Sequence, residues 1–138
     1  MSKIDEYLNP AASYMRLLNE YKKYNSLVIA YDFDNTVYDF HHKGETYDMV
    51  IELLRELKQL GCYLICFTAN DDQSFVNNYL VANFIPFDAI NENPPFFKSN
   101  QRKIYFNALL DDRAGLYQVY TELKTIVKQI KQEQDDKR

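Results

Sequence analysis

The sequence predicts an α/β fold, a three-layer sandwich around a short, mostly parallel sheet. Two observations carry that prediction. Apolar runs of strand length alternate along the chain with stretches whose apolar residues recur at helical spacing. In addition, 138 residues with 46% hydrophobic and 26% charged side chains suit one compact domain over 1–138, with no repeat or linker to divide it. Strand–helix–strand units take right-handed crossovers, so the strands should point one way and end at one edge of the sheet.

Residues 3–24 read as a helix within an N-terminal helical extension over 1–25. Asn9-Pro10 supplies a cap and a first helical position, and Tyr14, Leu17, Leu18 and Tyr21 form a stripe suited to lying on the sheet. Leu27 to Tyr31 is an apolar run with β-branched members, the mark of a strand buried on both faces. Asp32 and Asp34 follow at once, with Asn35 and Thr36 behind them. Val37 to Glu45 is a short irregular segment holding Asp39, His41 and His42.

From Tyr47 to Leu60, the residues Val50, Leu53, Leu54, Leu57 and Leu60 describe one helix face, and Gly61 is placed to end it. Cys62 to Phe67 reads as a second buried strand, ending in Thr68-Ala69-Asn70-Asp71. A helix over 72–83 uses Phe75, Val76, Tyr79 and Leu80. Phe87 to Ile90 is a weaker third strand, followed by a loop over 91–95, and Ile104 to Leu110 reads as a fourth strand ending in Asp111-Asp112. From Ala114 the pattern is helical again, and the tail 132–138 reads as frayed.

The totals narrow the function classes. A net charge of −4 is no footprint for tight nucleic-acid binding, although a local basic patch stays open. No apolar run has the length of a membrane span and the first residues lack the apolar core of a signal peptide, so the cytoplasm is the expected compartment. Cys62 and Cys66 lie four apart in a strand, about 13 Å, too far for a disulfide. They read as buried thiols.

With the strands parallel, Asp32, Thr68 and Asp111 emerge at the same edge, where open α/β sheets bind ligands. Crowded carboxylates repel unless a cation joins them, and an all-oxygen set suits Mg²⁺. A carboxylate so held can attack phosphorus, a second can exchange a proton with the leaving oxygen, and Thr and Lys can hold the phosphoryl oxygens.

These residues resemble the motifs of the haloacid dehalogenase superfamily, in its capless, Rossmann-like form. The apolar strand followed by Asp-x-Asp-x-Thr is matched by LVIAYDFDNTV, the strand ending in Thr by CYLICFT, and the strand ending in two aspartates by IYFNALLDD. The resemblance runs from Leu27 to Asp112. It implies a Mg²⁺-dependent phosphomonoester hydrolase with Asp32 as nucleophile and Asp34 as acid/base. The metal set would be Asp32, the backbone carbonyl of Asp34, and Asp111, with Asp112 acting nearby through water. Thr68 would bind the phosphoryl group, and a lysine ahead of the fourth strand would complete the site. A second aspartate at Asp34 points to phosphoryl transfer rather than dehalogenation.

The chain departs from the family pattern in three ways. Asn35 stands where many members have Gly, although Asn tolerates a left-handed backbone. Nothing after Asp112 resembles a fifth strand, and there is no room for a cap. Capless members act on bulky substrates or borrow cover from a partner, so a phosphorylated substrate and a second copy of the chain are the partners to expect. Between the two candidate lysines, Lys98 is preferred. Lys103 would stand at the far end of a seven-residue strand, about 23 Å from Asp111.

Blander readings sit beside these. An Asp pair after a strand is, alone, more often a turn than a catalyst; Thr68 and Asp111-Asp112 in register are what change that. Asp32-Asp34-Thr36 fails as an EF-hand, with Val37 where Gly is needed and Lys43 where Glu is needed. His41 and His42 are adjacent and suit solvent or a substrate edge better than one metal. The Lys-rich stretch 124–131 reads as a solvated helix face. Two other classes remain: a non-catalytic binding or regulatory module on the same scaffold, and a phospho-accepting receiver, whose phosphorylated Asp would lie in mid-chain.

Overall fold

A computed structural model describes residues 5–138; residues 3 and 4 of the expected first helix lie outside the described residues. A short 3₁₀ turn, Glu6–Leu8, leads into α1 (Pro10–Tyr24). Then follow β1 (Val28–Tyr31), α2 (Asp48–Gln59), β2 (Tyr63–Cys66), α3 (Gln73–Ala82), β3 (Ala89–Ile90), β4 (Ala108–Leu110) and α4 (Leu116–Asp136). The sheet is four-stranded, in the order β3-β2-β1-β4, and every pairing is parallel. The α/β fold with a Rossmann-like parallel sheet is therefore as the alternation predicts.

Asn9 has extended backbone and its side chain accepts the Ala11 N–H, which caps α1 at 3.0 Å. The residue before a proline is driven out of the helical region, so the expected continuous helix breaks there. Gly61, at φ +85°, closes α2 as expected.

The strand side chains alternate between two clusters. Ile29, Tyr31, Leu64, Cys66 and Leu110 face a core shared with Leu17, Leu18 and Tyr21 of α1, Leu53, Leu54 and Leu57 of α2, and Leu123, Ile126 and Val127 of α4. Val76 and Leu80 of α3 join the same core. The opposite face, Val28, Ala30 and Ile65, is covered by Ile104, Tyr105 and Phe106. The third layer is thus irregular chain from the β3–β4 crossover rather than helix.

Three further differences from the sequence expectation have a visible cause. The fourth strand covers 108–110, not 104–110. Asn107 ends it: its side-chain oxygen accepts the Val28 N–H at 2.6 Å and its own N–H donates to the Val28 carbonyl at 2.7 Å. Ahead of it, the Tyr105 N–H goes to the Asn93 side chain at 2.7 Å, out of the ladder. The third strand covers 89–90, not 87–90. Pro86 has no N–H to give, and the Asp88 carboxylate takes the Leu64 N–H at 2.8 Å in place of a backbone carbonyl. Finally, α4 continues through most of the tail expected to fray. Gln129 to Glu133, Gln132 to Asp136, and a cross-helix Lys22–Glu133 pair at 3.0 Å hold its last turns.

No helix among the described residues is long and apolar enough to cross a membrane. Cys62 and Cys66 are free and buried, and burial pushes their thiols up to about 11 and about 12. They are inert packing groups, as the spacing implies.

Candidate carboxylate site

The register of the sheet assembles the site. Tyr31 of β1 pairs with Cys66 on one side and Leu110 on the other. The ladder runs one step further, with the Asp32 N–H on the Leu110 carbonyl and the Phe67 N–H on the Tyr31 carbonyl, both at 2.8 Å. Asp32 and Asp111 are therefore next-door neighbours at the carboxyl edge, and Thr68 lies two residues past the end of β2. Asp32, Asp111 and Asp112 each bring an oxygen to within 4.8 Å of the others. Asp34, expected among the metal residues through its backbone carbonyl, keeps its carboxylate outside this trio.

The turn after Asp32 is built by Phe33, whose ring is fully buried. Its carbonyl accepts the N–H groups of Thr36, Val37 and Tyr38 at 3.3, 3.1 and 3.0 Å. Asn35 takes the left-handed backbone at φ 60° and donates its N–H to the Tyr38 carbonyl at 2.8 Å. Asn can occupy that region where a branched residue would be strained, so the missing glycine is tolerated. Thr36 is fully buried, and its hydroxyl accepts the Asp112 N–H at 3.3 Å, tying the two acidic segments together. The Asp111 carboxylate holds its own turn by accepting the Arg113 N–H at 2.8 Å.

Electrostatically the edge is unbalanced. Burial, then a hydrogen bond to Asp112 and the charges of Asp111 and Asp112, push the Asp32 carboxyl up to about 7, against the opposing Phe33 amide. Burial, with the Asp112 charge behind it, raises Asp34 as well. One Asp34 oxygen is buried with no hydrogen-bond partner. Among the described residues, no lysine or arginine side chain pairs with any of these four carboxylates.

Thr68 is held by a residue the sequence did not single out. Asn91, just past β3, accepts the Thr68 N–H at 2.8 Å and returns its amide to the Thr68 carbonyl at 2.9 Å. Its own N–H reaches the Cys66 carbonyl at 2.9 Å, and its φ is 56°. The only sequence signal was an Asn at a strand end, a residue type suited to left-handed turns. The Thr68 hydroxyl accepts the Asn70 N–H at 3.1 Å, which leaves its hydrogen free to donate.

No family model matches the chain, and no curated protein matches it. A solved structure of a conserved protein from Bacteroides thetaiotaomicron is similar, at 24% identity and a TM-score of 0.58, over 78% of this chain and 92% of that one. The likeness is one of fold.

The remaining candidates are scattered. Lys98 and Lys103 are both exposed on the β3–β4 crossover. Residues 104–106 are not strand, so the strand length does not fix the place of Lys103, yet Lys103 still lies away from the carboxylates, lining a groove with Ile104, Tyr105 and Phe106. His41 and His42 are exposed and lie edge-on to Phe40 and Tyr38 respectively. Asp39 is a loop carboxylate, accepting the Lys43 and Gly44 N–H groups at 3.1 and 2.7 Å.

Proposed function

We propose that the chain is a Mg²⁺-dependent phosphohydrolase of the haloacid dehalogenase type, acting on phosphomonoesters through an aspartyl-phosphate. The observation that carries this reading is the convergence of Asp32, Asp111 and Asp112 oxygens at the carboxyl ends of adjacent parallel strands, with Asp34 two residues on. An all-oxygen donor set in which burial and the neighbouring carboxylates push Asp32 up, beside a buried oxygen without a partner, fits a hard divalent cation. Asp32, the Asp34 carbonyl and Asp111 would hold it, with Asp112 acting through water. Bound there, Mg²⁺ would offset charge on the phosphoryl oxygens.

The chain's own groups supply the rest. A carboxylate oxygen of Asp32 attacks phosphorus and the ester P–O bond breaks. Asp34, kept toward its acid form by burial, gives its proton to the leaving oxygen. Its carboxylate then takes a proton from water, whose oxygen attacks the aspartyl-phosphate and releases phosphate and free Asp32. The Thr68 hydroxyl donates to a phosphoryl oxygen while Asn91 keeps its backbone in place. Lys98 is the cation assigned to the same oxygens.

Phosphate release from a panel of phosphomonoesters, with and without Mg²⁺, tests this reading. Turnover with metal that Asp32→Asn abolishes is the expected result. One observation favours a second reading, a non-catalytic binding module: no basic side chain engages the carboxylates among the described residues. A folded protein that binds Mg²⁺ but releases no phosphate from any ester would support that alternative.

A further inference from the structure

At the opposite end of β1 from the carboxylates, the irregular third layer forms a surface of different chemistry. Two grooves of about 460 and 470 Å³ meet there and share Phe97 and Tyr105. The two rings are stacked, with centroids 4.7 Å apart and planes 23° from parallel, and Phe96 meets Tyr105 edge-on at 6.4 Å. One groove continues to Tyr24, Ser26 and Asn107, the other to Ser99, Gln101 and Lys103. Phe96 is 70% exposed and Tyr24 67%, so both rings offer a face to solvent beside the grooves.

The charge here runs against that of the whole chain. The protein carries −4, yet no acidic residue occurs between Glu92 and Asp111, and Lys98, Arg102 and Lys103 lie exposed within that stretch, Lys98 being the cation already assigned to the phosphoryl oxygens. None of the three forms an ion pair among the described residues. Lys23 stands over the Tyr24 ring at 5.1 Å, adding a further cation at the groove's other end. Glu20, the acid beside it, is engaged by the Asn107 amide at 2.6 Å.

Exposed aromatic faces between cations are what a single-stranded nucleic acid requires: rings for unstacked bases, cations for the phosphates. A duplex hides its base faces, and an acidic peptide leaves the rings unused. A mononucleotide would fill one groove, whereas two grooves joined across a stacked pair suit a run of nucleotides. We propose that the Phe96–Phe106 crossover and Tyr24 form a binding surface for single-stranded nucleic acid, with bases on Phe96, Phe97 and Tyr24 and phosphates on Arg102, Lys103 and Lys23. This surface is independent of the carboxylate site and of whether that site turns over.

The test is fluorescence anisotropy of a labelled twelve-nucleotide oligothymidylate and the matching oligouridylate, titrated with the full chain at about 50 mM salt. Micromolar binding that weakens with added salt is expected. Phe96→Ala and Tyr24→Ala, both at exposed rings, should each weaken it about tenfold. Arg102→Gln with Lys103→Gln should flatten the salt dependence by about 1.4 in log–log slope, two phosphate contacts' worth for a single strand. Tyr117→Ala, an equally exposed ring on α4, should leave binding unchanged. No anisotropy change up to about 100 μM protein, where non-specific binding already shows, overturns the proposal. So does binding that these variants leave intact. Sedimentation on the same samples covers the rival occupant: a dimer that Phe96→Ala dissociates would assign the surface to a second copy of the chain.

Discussion

Glu56 and the Asp32 cluster are both acidic, partly buried and anchored to the same core, yet the fold treats them in opposite ways. Glu56 sits on α2 facing α4, where Lys131 meets it at 2.8 Å and Lys124 closes on its other oxygen. Burial alone would raise its carboxyl, but the two lysines hold it below the usual range. At the carboxyl edge of the sheet no basic side chain among the described residues meets Asp32, Asp34, Asp111 or Asp112, and Asp32 is pushed up to about 7. The stretch 124–131 is therefore more than a solvated face: two of its lysines pin α4 to α2. Charges that serve only the fold are neutralised within it. Under the proposed function, the charges left costly are the ones a bound cation would offset.

The largest expected effect comes from removing the nucleophile. Asp32→Asn should lower turnover by about 10³-fold or more while the protein stays folded, since the amide fills the same space and cannot attack phosphorus. It should also sharpen the contrast with Glu56. The folded pKa of Asp32 lies above its ordinary value of 3.8, so in metal-free protein its contribution to stability declines as pH rises from about 3.8 to about 7. At pH 8 in EDTA the variant should melt higher than wild type, and saturating Mg²⁺ should remove that advantage. A variant that melts lower in EDTA would show that Asp32 is not strained by its neighbours.

Next is the lysine. Lys98→Ala should cost about a hundredfold in turnover, the scale of one lost oxyanion contact, with Lys103→Ala near wild type. The reverse result would move the phosphoryl contact to Lys103. Asn91→Ala is a step smaller, about tenfold in turnover, because Thr68 loses two hydrogen bonds that fix its backbone without losing its hydroxyl. Circular dichroism and a melting curve should show a cost of about 1–2 kcal/mol. An Asn91→Ala enzyme with full turnover would mean that β2 alone positions Thr68.

Glu56→Gln should have the smallest effect, none on turnover and about 1 kcal/mol on stability, discounted because Lys131 is well exposed. With its folded pKa lowered, the Glu56 contribution is present above the unfolded value near 4.5 and is lost as pH falls through the folded pKa. Acid unfolding in wild type should therefore lose a component that Glu56→Gln lacks. Superimposable acid limbs would contradict the assignment.

Most of the fold was legible because its signals are local. The apolar run 27–31, the Asn9-Pro10 cap and the Gly61 stop each act within a few residues, and each appears within a residue of where the pattern put it. Asp32, Thr68 and Asp111 also followed from the pattern, since parallel strands of similar length must end together. What was not legible depends on contacts distant in sequence. IYFNALL reads as one strand until Asn107 meets Val28 and Asn93 captures Tyr105. Asn91 gains its role only by facing Thr68, twenty-three residues away. The segment 37–45 is irregular as expected, its turn held by the Asp39 carboxylate on the Lys43 and Gly44 N–H groups.

The most direct measurement is phosphate release as a function of free Mg²⁺ for wild type and Asp111→Ala, with EDTA as the zero. Wild type should turn over with Mg²⁺ and stop in EDTA. Asp111→Ala should need far more metal, with excess Mg²⁺ restoring part of the rate, because the variant loses a shared ligand and keeps the nucleophile. Turnover that persists in EDTA, or an Asp111→Ala enzyme with the metal dependence of wild type, would contradict a cation held between Asp32 and Asp111.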